Sequence, residues 1–293
     1  GFKDANQQTE NVETAQKVVG AEGGVSDFSA LSETKKIELA NAVVDSKKVA
    51  SKYDLSRLAN TVEGYANRPN YIVKSALDME LIWCPPGSFI MSEGGNAHPV
   101  ILTKGFYLGK YEVTQEQYEK VMGNNPGKFK GENLPVEHVS WDNAVAFCKA
   151  LTQRERVPPG WEFTLPTEAQ WEYACRAGTT TKHFWGNNIN PKLANYKGSG
   201  LKKTRAVGSY RPNAWGFFDM HGNVREWTAN WYGSYPSGIV NDPVGPASGS
   251  SRVTRGGSWG SVQTDLRYAK RFPYTPSGRN YIIGFRVGFQ SSK

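Results

Sequence analysis

The sequence predicts an α+β domain with a short helical extension on its N-terminal side. Three observations lead there. From about Asp78 onward turn residues become frequent, Trp and Tyr recur, and short strand-like runs alternate with loops. Within that region three helix starts are marked by their capping residues. Ahead of it, residues 31 to about 70 carry apolar positions at helical spacing.

Residues 1–30 are polar, with Gly, Gln and Glu, and read as a flexible leader. Residues 31–77 read as the helical extension. Ser32 can cap a helix presenting Ile37, Ala40, Val43 and Val44, and Asp54 a second carrying Leu55, Leu58 and Val62. Neither is long enough to form a core alone, so both are expected to pack on the main domain, 78–293. In that domain Leu81–Met91 reads as strand, turn and strand. Thr114-Gln-Glu-Gln117 is a capping box, in which the Thr hydroxyl and Gln amide satisfy free backbone N–H groups reciprocally. Its helix runs through Tyr118 and Val121 and stops at Gly123, a residue suited to a left-handed cap. Ser140 begins a second helix with Ala144, Phe147, Cys148 and Leu151. Thr167-Glu-Ala-Gln170 opens a third, expected to end at Gly178. Pro158 and Pro159 fall between helices, as helix breakers should.

Composition bounds the function. Hydrophobic residues are 38% and charged residues 21% of 293, the balance of a soluble globular chain. Nine Trp suit an aromatic core, or aromatics presented to a partner. No apolar run approaches the roughly 20 residues of a membrane helix. The net charge of +8 is scattered, with only short clusters such as Lys47-Lys48 and Lys202-Lys203. With no zinc-finger spacing or RNA-recognition signature, no nucleic-acid partner is expected; a solvated basic surface or an acidic partner surface accounts for the charge. Three cysteines without a C-x-x-C pair argue against a disulfide framework. Cys148 and Cys175 lie in apolar helical stretches and are expected to be buried, inert thiols.

Several segments then occur in order: Leu81–Met91, Gly105-Phe-Tyr-Leu-Gly-Lys-Tyr-Glu-Val-Thr114, Pro135-Val-Glu-His-Val-Ser-Trp141 and Leu165-Pro-Thr-Glu-Ala-Gln-Trp-Glu-Tyr-Ala174. After them come Asn213–Trp227, containing Gly-Asn-Val-Arg-Glu-Trp, then Arg255-Gly-Gly-Ser-Trp259 and Gly284-Phe-Arg-Val-Gly288. This set resembles the formylglycine-generating-enzyme family, the sulfatase-modifying-factor domain, over about residues 78–290. The resemblance implies a C-type-lectin-type fold of that subtype: mixed α and β, much irregular structure, paired helices around small twisted sheets. Each motif also has a plain reading. Gly256-Gly257 lets the backbone turn where a Cβ would clash. Trp227 and Trp231 read as core. Arg286, between Phe285 and Val287, points away from both and can hold a carboxylate or loop carbonyls.

Family members that oxidise a substrate cysteine use two cysteines just after the Gly-Gly-Ser-aromatic motif, because a thiolate is needed there. Here those positions align with Ser261 and, more loosely, Leu266, and no Cys follows Cys175. The resemblance therefore implies a non-enzyme. A second branch of the family uses histidine-bound iron; His98, His138, His183 and His221 form no H-x-x-x-H pair. His138 and His221 read as structural hydrogen-bonding residues. No cofactor is required, but Asn223, the Val224 carbonyl and Glu226 match one calcium site of the family. Asn195 matches the start of another, whose following loop here brings Lys202, Lys203 and Arg205 and no acid.

Segment 255–287 has a distinct texture. Leu266, Arg267, Ala269, Arg271, Pro276, Arg279 and Ile283 keep the family frame. Interleaved with them are Gly260, Ser261, Val262, Thr264, Asp265, Tyr268, Lys270, Phe272, Tyr274, Gly278, Asn280, Tyr281 and Ile282, chemically mixed and without helix or strand period. Together with Trp259 they read as a contact face carried by loops on a rigid scaffold. The interleaving resembles the variable proteins of diversity-generating retroelements. That resemblance implies a receptor- or adhesin-like surface protein, extracytoplasmic and anchored through a lipid-bearing leader outside this chain. Its ligand is expected to be a protein or other macromolecule on another cell, and the chain to be a monomer. Alternatives are a metal-dependent oxidase with atypical site chemistry and a catalytically dead scaffold. Arg267, Arg271 and Arg279 are expected to hold the segment's shape.

Overall fold

The three capping sequences fold as their chemistry dictates in a computed structural model that describes residues 71–73, 77–155 and 157–292. The leader expected over 1–30 and the helices expected from Ser32 and Asp54 lie outside the described residues. Helix α1 is Gln115–Met122, α2 is Trp141–Arg154 and α3 is Glu168–Arg176. At each start the cap hydroxyl of Thr114, Ser140 or Thr167 accepts from the backbone N–H three residues on, and that residue's side chain returns the bond. Asn143 completes the second box in place of the usual Glu or Gln. Helix α1 ends at Gly123 with φ 75°. Helix α3 ends one residue earlier than Gly178, because Ala177 itself takes the left-handed cap at φ 45°.

The strands are short. They are β1 Tyr71–Val73, β2 Met79–Cys84, β3 Gly87–Met91, β4 His98–Leu102, β5 Phe106–Gly109 and β6 Trp161–Thr164. β7 Arg225–Trp231, β8 Val240–Asn241, β9 Arg252–Arg255, β10 Arg271–Tyr274, β11 Ile283–Gly284 and β12 Gly288–Ser291 follow. They form a five-stranded sheet β1-β2-β5-β12-β6, a four-stranded sheet β10-β9-β7-β11 and a three-stranded sheet β3-β4-β8. The five-stranded sheet is antiparallel throughout, and β12 lies inside it, paired with both β5 and β6. β11 pairs with β7 in parallel, Ile283 opposite Arg225.

Side-chain alternation gives the five-stranded sheet two apolar faces. Leu81, Tyr107, Phe163, Val287 and Phe289 join α1 and α2 in one core, with Tyr118 stacked on Phe147 at 5.5 Å and Phe285 edge-on to Phe147 at 5.3 Å. Ile82, Cys84, Phe106 and Leu108 face the other, which includes Trp171 and Cys175 of α3. All three cysteines are buried and free, as expected for the two in helices. Trp227 is fully buried with its Nε1 donating to the Val139 carbonyl at 3.0 Å. Trp231 is only half-buried: a register shift between Trp227 and Trp231 turns it outward, where Arg252 stacks on it at 3.4 Å.

At Gly284 the chain passes so close to β-side neighbours that a Cβ would collide with the Val136 carbonyl oxygen and touch Val224 at 3.0 Å. Backbone cannot yield there as a flexible side chain could. Gly284→Ala is expected to lower unfolding stability by about 1–3 kcal/mol, read as a lower urea midpoint with unchanged slope.

Candidate functional site

Arg255-Gly-Gly-Ser-Trp259 leaves β9 and immediately turns. Gly256 and Gly257 adopt φ 90° and 74°, the left-handed region their pairing predicts. The turn is fastened at both ends. Trp259 N donates to the Asn223 carbonyl at 2.9 Å, Ser258 N donates to Ser261 Oγ at 3.1 Å, and Lys197 N donates to the Ser261 carbonyl at 2.9 Å. The chain then makes a 3-10 turn at Gln263–Leu266, runs through β10, and returns through Asn280 to Ile282 beside β7. One stretch of the segment is thus sheet, since β10 pairs along its length with β9.

These turns enclose an open cleft of about 400 Å³ lined by Lys197, Arg225, Ser258, Trp259, Gly260, Ser261, Val262, Asp265, Tyr281 and Ile282. Trp259 stacks on Tyr281 at 5.8 Å and donates from Nε1 to its carbonyl at 3.2 Å, while Phe129 meets Trp259 edge-on at 5.7 Å. Lys128 Nζ sits 4.3 Å over the Tyr281 ring. Arg225 lies flat on Phe272 at 3.6 Å.

Sequence reasoning named most of this wall. Trp259, Gly260, Ser261, Val262, Asp265, Tyr281 and Ile282 line the cleft, and Thr264 is exposed on the adjoining turn. Lys270 lies 3.8 Å from Asp265, and Asn280 Oδ1 accepts from Ile282 N at 3.2 Å. Others are placed apart. Tyr268 is buried in the second core with the Arg176 guanidinium 3.4 Å over its ring, so it is packing, not contact. Ser261 is also buried, with its hydroxyl tied to Ser258, and offers the cleft little more than backbone. Tyr274 packs edge-on against Trp227 at 5.8 Å, and Gly278 closes a turn by donating from N to the Thr275 carbonyl at 3.0 Å. The frame arginines divide. Arg271 donates to Glu168 and to the Gly233 carbonyl, both at 2.6 Å, and Arg267 pairs with Glu93 and bonds the Thr264 carbonyl. Arg279 is exposed. Lys128, Phe129, Lys197 and Arg225 escaped sequence reasoning because they come from other segments. Only for Arg225 was there a signal, its strand alternation against Glu226.

The positions aligned with the family's cysteines hold the inward hydroxyl of Ser261 and the fully buried Leu266. Nearby, His183 and His221 have ring centroids 5.2 Å apart. His221 Nδ1 donates to the Leu266 carbonyl at 2.6 Å, and its Nε2 accepts from Phe184 N at 3.3 Å, the structural role expected of it. Burial pushes His221 down to about 3 and His183 to about 4, so both stay neutral at physiological pH. Cys175 Sγ lies 3.6 Å from His221 Nε2, with its thiol pushed up by burial. His138 differs from expectation: it is exposed at φ 63°, and its backbone N–H, donating to the Asn280 carbonyl at 3.0 Å, is what fastens that loop.

The calcium reading of Asn223, Val224 and Glu226 needs correcting. Calcium takes six to eight oxygens. Both Glu226 oxygens are bound by Arg286, Nε at 2.6 Å and Nη2 at 2.7 Å, and Trp171 Nε1 adds a bond at 2.7 Å. Asn223 Oδ1 accepts from Arg205 N at 2.9 Å and Asn195 Nδ2 at 3.2 Å, and Val224 N donates to Glu112 at 3.1 Å. The one carboxylate of the set is held on both oxygens by an arginine and the Asn223 amide oxygen by two N–H donors, so as arranged these residues do not fit the ion. Among the described residues no three His, Cys, Asp or Glu side chains cluster as a metal site. Asp219, close by, accepts from Gly208 N at 2.6 Å, and burial pushes its carboxyl up to about 6.

This fold and site belong to a known class. A family profile for the Sulfatase-modifying factor enzyme 1-like domain matches residues 73–290, and the chain belongs to that family. The Treponema denticola variable protein 1 structure superposes with TM-score 0.69 at 28% identity, over 75% of this chain and 98% of that one. It carries the C-type-lectin-type fold of the formylglycine-generating-enzyme subtype, as the resemblance implied. Chaperone protein LppX of Paenibacillus barcinonensis is 32% identical over 66% of this chain and 84% of its own length. The formylglycine-generating enzyme of Mus musculus is 37% identical over 53% of this chain, which spans only 44% of that enzyme.

Two outcomes follow from the buried charges. Arg286→Met leaves Glu226 buried without its counter-ion and is expected to cost about 3–5 kcal/mol, measurable by chemical unfolding. Asp219 holds its proton up to about pH 6 in the folded chain but releases it near 4 when unfolded. Its contribution is therefore full below the unfolded value and is lost as pH rises through about 6. Asp219→Asn removes that dependence. Urea unfolding should show the variant gaining about 1–3 kcal/mol on its parent between pH 4.5 and pH 7.5.

Proposed function

We propose that this chain is a non-catalytic, ligand-binding surface protein whose contact face is the cleft bounded by Trp259, Val262 and Tyr281. One observation carries the reading. Six interleaved residues, Gly260, Ser261, Val262, Asp265, Tyr281 and Ile282, line the cleft, while frame residues Leu266, Ala269 and Ile283 turn into the core. Side chains on the cleft wall can therefore change without disturbing the packing beneath. The likeness to Treponema denticola variable protein 1 supports the same reading. So does the missing thiol: a serine cannot perform the cysteine chemistry of the family's oxidases. The chain acts outside the cytoplasm, as a monomer, on a protein or other macromolecule of another cell. Among the described residues no helix is long and apolar enough to cross a membrane.

A second reading, assistance to another protein's maturation, draws on the relative named as a chaperone. Sequencing the gene across isolates separates the two. Substitutions should concentrate at Gly260, Val262, Thr264, Asp265, Tyr281 and Ile282 and spare Leu266, Ile283 and Arg286. Even drift along the chain overturns the display reading and favours the second.

A further inference from the structure

The cleft is charged as well as shaped. Two cations line it, Lys197 and Arg225, against one carboxylate, Asp265. Lys197 is exposed and none of the ion pairs among the described residues includes it. Arg225 is half-buried, pinned by Phe272 at 3.6 Å, and its buried Nε has no hydrogen-bond partner among the described residues. A buried N–H left unpaired is costly, and a guanidinium already held in place loses little further freedom on taking a partner. Arg286, by contrast, spends its N–H groups on Glu226 and three backbone carbonyls. Among the described residues the Nε groups of Arg252, Arg255 and Arg271 also lack a hydrogen-bond partner, but of these four arginines only Arg225 lines the cleft. Asp265 acts on Arg225 and also lies 3.8 Å from Lys270, so one carboxylate is shared among the cations and the cleft lining keeps a net positive charge.

Resting on the ligand-binding reading above, we infer that the cleft takes an acidic peptide segment, with an Asp or Glu carboxylate between Lys197 and Arg225 and an apolar neighbour against Val262 and Ile282. The aromatic rings favour a chain over a flat sugar. Tyr281 already stacks on Trp259 and carries Lys128 over its ring, and Trp259 is met by Phe129. Gly260 leaves the backbone open to an approaching chain, since the nearest atom to a Cβ there is 3.8 Å away.

The test is to pan a random displayed peptide library on the full chain and on Val262→Trp, which fills the cleft mouth. Peptides that bind the parent alone are cleft-dependent. These should be enriched in Asp and Glu beside apolar residues, and should lose binding when Gln replaces the acid. Affinity should fall about tenfold with Lys197→Gln or Arg225→Gln, and should fall with added salt. Lys197→Gln is the decisive variant, because an exposed side chain can be changed without disturbing packing. Cleft-dependent peptides that are neutral or basic, or indifferent to Lys197→Gln, overturn the acidic class while leaving ligand binding standing. So does binding of N-acetylneuraminic acid in a parallel titration without any acidic peptide. If no cleft-dependent binder emerges, the ligand-binding reading fails, and this assignment with it.

Discussion

One ion pair fixes the geometry on which everything else rests. Arg286 and Glu226 are both fully buried, and the guanidinium ties its own segment to three others. It binds both oxygens of Glu226 on β7 and the carbonyls of Gly109, Lys110 and Phe218. Trp171 of α3 completes the carboxylate. Burying two charges costs several kcal/mol per ion unless nearly every donor and acceptor is satisfied, and here they are. Specificity follows from that demand. A shifted register in β7 would strand both charges, so the pair selects one arrangement of strand, helix and loops. The alternation of β7 then decides the rest: with Glu226 held inward, Arg225 emerges at the cleft.

A second network supports the segment from below. Arg255 pairs with Glu172 and lies 3.4 Å from Glu168, Arg176 returns to Glu172 at 2.9 Å, and Arg271 reaches Glu168 at 2.6 Å. Two carboxylates on one face of α3, four residues apart, thus hold three arginines, two of them at the ends of β9 and β10. Interlocked charges of this kind resist small displacements, because moving one arginine unpairs a buried acid. The cleft wall is therefore a set of loops whose ends cannot drift.

How much of this the sequence disclosed follows from the range of each interaction. Capping boxes at Thr114 and Thr167 are complete within four residues, so they could be read directly. The outward reach of Arg286 was legible from strand alternation, but its partners lie 60 to 177 residues away and only folding brings them together. The calcium pattern at Asn223 and Glu226 misled for the same reason: oxygen-rich residues at close spacing look alike whether a cation or an arginine sits among them. Burial of Tyr268 was hidden because its position in the interleaving matches that of exposed neighbours, and Arg176 of a distant helix decides its fate. In the cleft the sequence exposed one wall. Lys197 and Arg225 on the other side, and Lys128 and Phe129 packed against Tyr281 and Trp259, come from segments with no local mark of joining it.

That division has a consequence for recognition. The two cations that line the cleft, Lys197 and Arg225, lie outside segment 255–287, on the scaffold held by Arg286. Charge and shape therefore come from different parts of the chain. Basic groups attract an oppositely charged ligand over a Debye length of about 10 Å and do so without regard to detailed fit. Apolar and aromatic side chains act only at contact, and discriminate there. If the interleaved positions change while the scaffold does not, every version of the cleft keeps the same attraction for acidic chains and differs in which one it retains. Asp265 is the exception that tests the logic from within, being an interleaved residue that carries charge. It lies 3.8 Å from Lys270, another interleaved residue, and acts on Arg225 of the scaffold, so a change at Asp265 tunes the attraction that the scaffold cations supply.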